Sequence, residues 1–160
     1  MPPPRPTVLV VAEASPLSRS MSAWLRDASL SVIHCPGPQP PSYVCAGGRG
    51  ERCLLAGSVD LVVLDLWLAS DTVLRGTPAM QLLSTYLDLG TPVVALQRLG
   101  GPPGRFAAEG VELVPWPPTR QALLDAVHRE LPGSQAHALS TSRTLREPAS
   151  RRLAGGTIPA

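Results

Sequence analysis

The sequence predicts a doubly wound α/β fold: a parallel sheet of five strands, in the order 2-1-3-4-5, with helices on both faces. Short runs rich in Val and Leu recur along the chain with little apolar–polar alternation, as in strands buried on both faces. Amphipathic helical periods separate these runs, which is the pattern of βα units feeding a parallel sheet. At 160 residues the chain has room for one such domain with loop-rich additions.

The first strand is expected over 7–11. Ser15 and Pro16 then open a helix, a serine able to accept from the free amides of the first turn and a proline suited to its first position. Leu17, Met21, Trp24, Leu25 and Ala28 share one face of that helix. A second strand over 31–34 is followed by a stretch, 36–50, dense in Pro and Gly, which leaves a short second helix over about 49–56. The third strand, 61–66, leads to a helix whose face carries Ala79, Leu82, Leu83, Tyr86 and Leu87. After a fourth strand over 92–96, Gly100, Gly101 and Gly104 with Pro102 and Pro103 confine any fourth helix to 105–109. A fifth strand over 111–114 precedes a last helix bearing Leu123, Leu124, Val127 and Leu131, stopped by Pro132 and Gly133. The expected organisation is a Pro-rich arm over 1–6, the α/β domain over 7–132 and a flexible basic tail over 133–160.

Composition narrows the function. All 14 basic residues are Arg, which removes chemistry that needs a lysine ammonium or a Schiff base. Residues 1–132 carry ten Arg and eleven acids, whereas 133–160 carry four Arg and one Glu, so the basic surplus lies in the tail. No apolar run approaches the roughly 18 residues of a membrane span, and a start rich in proline is unlike a signal peptide. A soluble, cytoplasmic protein is expected. Cys35, Cys45 and Cys53 are odd in number, and the nine- and seven-residue gaps between them lack the short paired spacing of zinc sites, so they read as ordinary thiols. His34 joins the three cysteines in inviting a zinc reading that their spacing does not favour, and His128 and His137 suit surface roles.

In such a sheet the functional groups belong at the carboxyl ends of the strands, near the reversal of strand order between strands 1 and 3. Glu13 follows the first strand and Asp65 stands near the end of the third. At these residues the chain, over roughly 6–132, resembles the receiver domain of bacterial response regulators, a flavodoxin-like fold. Ala12-Glu13-Ala14-Ser15-Pro16 is similar to the family's first-strand ending, where two adjacent acids precede a polar residue and a proline. Val62-Val63-Leu64-Asp65-Leu66 resembles the strand carrying the phosphoacceptor, Thr91-Pro92-Val93-Val94-Ala95-Leu96 the fourth strand, and Val114-Pro115-Trp116-Pro117 the fifth-strand ending, where a lysine precedes a proline, often through a cis bond.

The resemblance implies Asp65 as the phosphoacceptor position, with Glu13 and Asp65 as the remnant of a magnesium site. The sequence departs from the family's pattern elsewhere. Ala14 stands for the second acid, Gln97 for the Ser or Thr of the fourth strand, Trp116 for the lysine and Leu113 for the aromatic switch residue, while Ala69 replaces a proline after the acceptor. Phosphoryl transfer to a carboxylate sets anionic oxygens against an anionic nucleophile, and the cation and the lysine offset that repulsion. If each missing electrostatic partner is worth about 2.7–4 kcal/mol, the loss of two or three slows transfer by several orders of magnitude. Magnesium, which wants six oxygens, would be held weakly by two carboxylates.

The expected function is therefore that of a stand-alone degenerate receiver: not an enzyme but a phosphorylation-independent interaction module, with no firm cofactor. Its expected partner is another signalling protein, a histidine kinase or an output protein, met through the fourth helix region, the fifth strand and the last helix, with Trp116 and Pro117 as candidate contacts. Trp116 suits either that role or a cap over a vacated phosphate pocket, and Trp67 either a loop anchor or the edge of the core. Homodimerisation stays open. The 133–160 tail is too short and too polar for a helix-turn-helix output domain, so nucleic acid is not the expected partner, although the tail's four Arg could bind an acidic partner or nucleic acid non-specifically. The alternatives are a working phosphoacceptor modified at Asp65 and a small flavodoxin-like enzyme or ligand-binding domain, the latter weakened by the lack of a phosphate-cradling glycine loop.

Overall fold

A computed structural model describes residues 4–39, 45–49, 51–68, 78–98 and 110–131. Five strands, β1 Thr7–Val11, β2 Ser31–Cys35, β3 Leu61–Asp65, β4 Val93–Arg98 and β5 Val111–Trp116, form one sheet in the order β2-β1-β3-β4-β5. Every pairing is parallel. The helices are α1 Pro16–Asp27, α2 Pro78–Asp88 and α3 Arg120–Glu130.

Alternate residues of each inner strand feed two separate cores, as the two-residue side-chain period of a strand requires. Val8, Val10, Leu61, Val63, Val94 and Leu96 pack on Met21 and Leu25 of α1 and Leu123 and Val127 of α3. On the opposite face Leu9, Val11, Val62, Leu64, Val93 and Ala95 pack on Leu82, Leu83 and Tyr86 of α2. All five residues of β3 are buried, so this central strand has no solvent face and tolerates almost no polar side chain except at its end.

Local chemistry sets the helix starts. The Ser15 side chain accepts from the Ser18 N–H at 3.0 Å, and the Ser18 hydroxyl oxygen accepts from the Ser15 N–H at 2.9 Å, a reciprocal capping box with Pro16 at the first helical position. In α3 the Thr119 side chain accepts from the Ala122 N–H at 3.1 Å. Asp60 ties two strand starts together by accepting from the Thr7 N–H at 2.7 Å.

Three expectations need correction. Where a short α-helix is expected over about 49–56, the described residues form two three-residue 3-10 turns, Gly47–Arg49 and Ala56–Ser58. Close packing is the reason: a Cβ at Gly47 would lie 2.9 Å from the Leu82 side chain, and one at Gly48 would lie 3.0 Å from Pro38. This backbone presses on α2, and the Thr85 hydroxyl donates to the Gly47 carbonyl at 3.3 Å. The second correction is at the strand ends: β4 and β5 each run two residues further than the apolar runs suggest, to Arg98 and Trp116. Their polar or aromatic ends keep the ladder because the register between them continues through Gln97 with Pro115 and Arg98 with Trp116. Third, β3 stops at Asp65, and the half-buried Leu66 only donates its N–H to the Leu96 carbonyl. The fourth helix expected over 105–109 and the tail expected over 133–160 lie outside the described residues.

The cap makes a simple test. Ser15→Ala should cost about 1 kcal/mol of stability in urea unfolding, whereas Ser15→Asp, which keeps an acceptor at the helix start, should cost much less.

Candidate functional site

The carboxyl ends of the strands are built by register. Asp65 pairs with Leu96, and Leu96 with Val114, so these three stand in one row across β3, β4 and β5. Asp65 lies on the face shared with Leu61 and Val63, toward α1 and α3, because it is two and four residues from them. Two residues further along β4 and β5, Arg98 pairs with Trp116, and Trp67, two residues beyond Asp65 and outside β3, completes a row beside Arg98.

Asp65 is 4% exposed, and its Oδ1 accepts from the Trp67 N–H at 2.9 Å. This side-chain-to-backbone bond two residues on is an Asx-type turn, and it sets the direction in which the chain leaves β3. It brings the Trp67 indole beside Arg98. The guanidinium carbon of Arg98 lies 5.5 Å from the Trp67 ring centroid and 5.2 Å from the Trp116 ring centroid, so one cation is shared by two indoles. Each such contact is worth about 0.5–1 kcal/mol at an exposed site and more where water is excluded. Trp67 is 49% exposed, Arg98 is exposed and Trp116 is partly buried against the core of Val114 and Leu123.

The other sequence-derived positions are spread around this row. Glu13 and Ala14 are both exposed in the loop between β1 and α1, and Glu13 makes no hydrogen bond or ion pair with the described residues. Gln97 is half-buried beside Pro115 in the register of β4 with β5, and Leu113 is 38% exposed on the sheet face opposite Val114. The Trp116–Pro117 bond is cis, the geometry the resemblance leads one to expect there, and Pro117 is exposed.

This donor set fits magnesium poorly. Ala14 has no side-chain oxygen to offer, Glu13 is exposed, and one Asp65 oxygen is already engaged by a backbone N–H. Among the described residues no group of three or more His, Cys, Asp or Glu is placed to hold a metal ion. The ion demands near-octahedral oxygen ligation and needs firm anchors for it.

Arg98 is the residue that sequence reasoning missed. The signal was parity: continuing β4 past Leu96 places residue 98 on the same face as Val94 and Leu96, and continuing β5 past Val114 places Trp116 beside it.

A second cluster lies on the α2 side. Cys45 is buried and Cys35 and Cys53 are half-buried, all three free thiols packed in the core of Leu82 and Tyr86. Burial pushes the Cys35 thiol up from its ordinary value of 9.0, outweighing the hydrogen bond from the Gly37 backbone that favours the thiolate. Such thiols are poor nucleophiles.

No protein-family model matches the sequence, and no curated protein matches it. Solved structures do. The response regulator StyR superposes with a TM-score of 0.59 at 23% identity, over 89% of this chain and 68% of that one. The chemotaxis response regulator CheY4 of Vibrio cholerae gives a TM-score of 0.54 at 20% identity, covering 80% of this chain and 100% of its own. A response regulator receiver domain protein from Clostridium thermocellum gives 0.56 at 18% identity, over 88% and 99%. The chain therefore has the fold of response-regulator receiver domains. No helix among the described residues is long and apolar enough to cross a membrane.

Two outcomes follow from this geometry. Asp65→Ala, which deletes the acceptor for the Trp67 N–H, should lower stability by about 1–3 kcal/mol in urea unfolding and weaken the near-ultraviolet circular dichroism of the tryptophans; Asp65→Asn should largely preserve both. Because the folded state holds the Cys35 proton more tightly than the unfolded chain does, stability should fall as pH rises past 9.0, and iodoacetamide should label Cys35 more slowly than free cysteine below that pH.

Proposed function

We propose that the chain is a degenerate receiver domain whose output is binding to another signalling protein, a histidine kinase or an output protein, independently of phosphorylation at Asp65. The observation that carries this reading is the row Trp67–Arg98–Trp116. The position that the resemblance gives to a lysine ammonium holds an indole, and the nearby Arg98 guanidinium carbon lies 5.5 and 5.2 Å from two indole centroids. An indole has a single N–H donor and no charge with which to stabilise a phosphoryl group in transfer.

Asp65 supports the same reading. Its carboxylate serves as a brace, holding the Trp67 amide, and among the described residues no group of three or more His, Cys, Asp or Glu is placed to hold a metal ion beside it. Arg98 cannot take over the lysine's part without leaving one or both indoles, which would forfeit the contacts that hold it. Binding needs none of this reactive set. An exposed Trp beside an exposed Arg supplies the side chains most enriched at the energetic centres of protein interfaces, and Pro117 continues the surface.

Acetyl phosphate or beryllofluoride with magnesium tests the proposal. No saturable binding and no mass increase at Asp65 is expected, with any residual labelling slower than that of an ordinary receiver by several orders of magnitude. Saturable binding that disappears in Asp65→Ala defeats the proposal and makes the chain a working phosphoacceptor.

A further inference from the structure

We propose that Arg98, whose guanidinium lies between Trp67 and Trp116, is a receptor for a single carboxylate of an acidic segment on the partner. This rests on the reading of the domain as a binding module and names the chemistry its surface takes. The guanidinium carbon lies 5.5 and 5.2 Å from the two ring centroids while the residue is exposed, and the fork of N–H donors of a guanidinium matches the spacing of a carboxylate. Arg98 is exposed, and it enters no salt bridge with the described residues, whereas Arg49, Arg120 and Arg129 do.

Charge selects the partner. Among the described residues the exposed end of the row presents one cation, and the Asp65 behind it is buried with one oxygen held by the Trp67 amide, so a monoanionic carboxylate suits Arg98 better than a phosphate dianion, whose second charge meets no further described cation. Nucleic acid needs several phosphates neutralised along a basic stripe, and residues 1–132 hold ten Arg against eleven acids. The half-exposed Trp67 and the exposed Pro117 add an apolar rim that lowers the local dielectric around the ion pair.

Titration of the full chain with a short peptide of alternating glutamate and alanine, followed by tryptophan fluorescence, tests this, with arms in inorganic phosphate, in single-stranded oligothymidylate and in beryllofluoride with magnesium. Saturable peptide binding is expected, weakened by about tenfold or more in both Arg98→Gln and Arg98→Lys, since the lysine keeps the charge but loses the fork. Trp67→Ala, remote from the sheet core, should weaken it as well. Circular dichroism on each variant establishes that the fold is intact. Peptide affinity unchanged in Arg98→Gln, or equal in Arg98→Lys, overturns the receptor, as does Arg98-dependent binding of phosphate or oligothymidylate tighter than that of the peptide. Absence of peptide binding with beryllofluoride inert overturns the receptor alone and leaves the binding-module reading in place. Saturable beryllofluoride binding that requires Asp65 overturns that reading itself.

Discussion

Parallel pairing fixes how far each strand extends before its chain turns away, and at β3, β4 and β5 that height decides which side chains meet. Asp65, Leu96 and Val114 form one row because the hydrogen-bonded register makes them neighbours. Arg98 and Trp116 pair in the next outward row, and Trp67, beyond the end of β3, comes beside Arg98 through the turn that Asp65 holds. A slip of one residue in either pairing would turn Arg98 or Trp116 to the other face and separate them. The apolar residues beneath prevent that slip: Val94 and Leu96 would exchange places with Val93 and Ala95, taking the wrong volumes into each core.

The described charged groups at the ends of β3 and β4 are engaged by neighbouring rings and backbone. A phosphate site gathers positive charge on mobile or metal-bound groups that follow the anion through the reaction. Here, among the described residues, the Arg98 cation lies over two aromatic rings, and one oxygen of the Asp65 carboxylate accepts from a backbone amide. Both groups are used to hold shape. The surface that results is buried on its sheet side and exposed on its outer side, where Trp67 and Arg98 meet solvent.

Most of the architecture was legible because burial on both faces leaves an unmistakable mark. The Val and Leu runs located all five strands, and Ser15–Pro16 located the start of α1, where the side chain and the ring act within one turn. The segment between β2 and β3 was not legible. Its form is decided by Gly47 and Gly48 packing against Leu82 and Pro38, contacts between residues far apart in sequence. At the site, Asp65 and Trp116 could be picked out as single residues. Arg98 could not, since a charged residue following Gln97 looks like the end of a strand until the β5 register places a tryptophan beside it. Trp67 was ambiguous for the same reason: its role depends on the direction of a turn set by the Asp65 side chain.

The bond from the Trp67 amide to Asp65 also bears on how such a chain changes over generations. An aspartate that braces the exit from its strand is kept by selection on geometry, whatever becomes of its reactivity. Substituting it disturbs the turn and the indole that the turn carries. A lineage can thus shed the charged groups around this acid while the acid itself stays put, and its persistence at the tip of a central strand records architecture as readily as it records signalling chemistry.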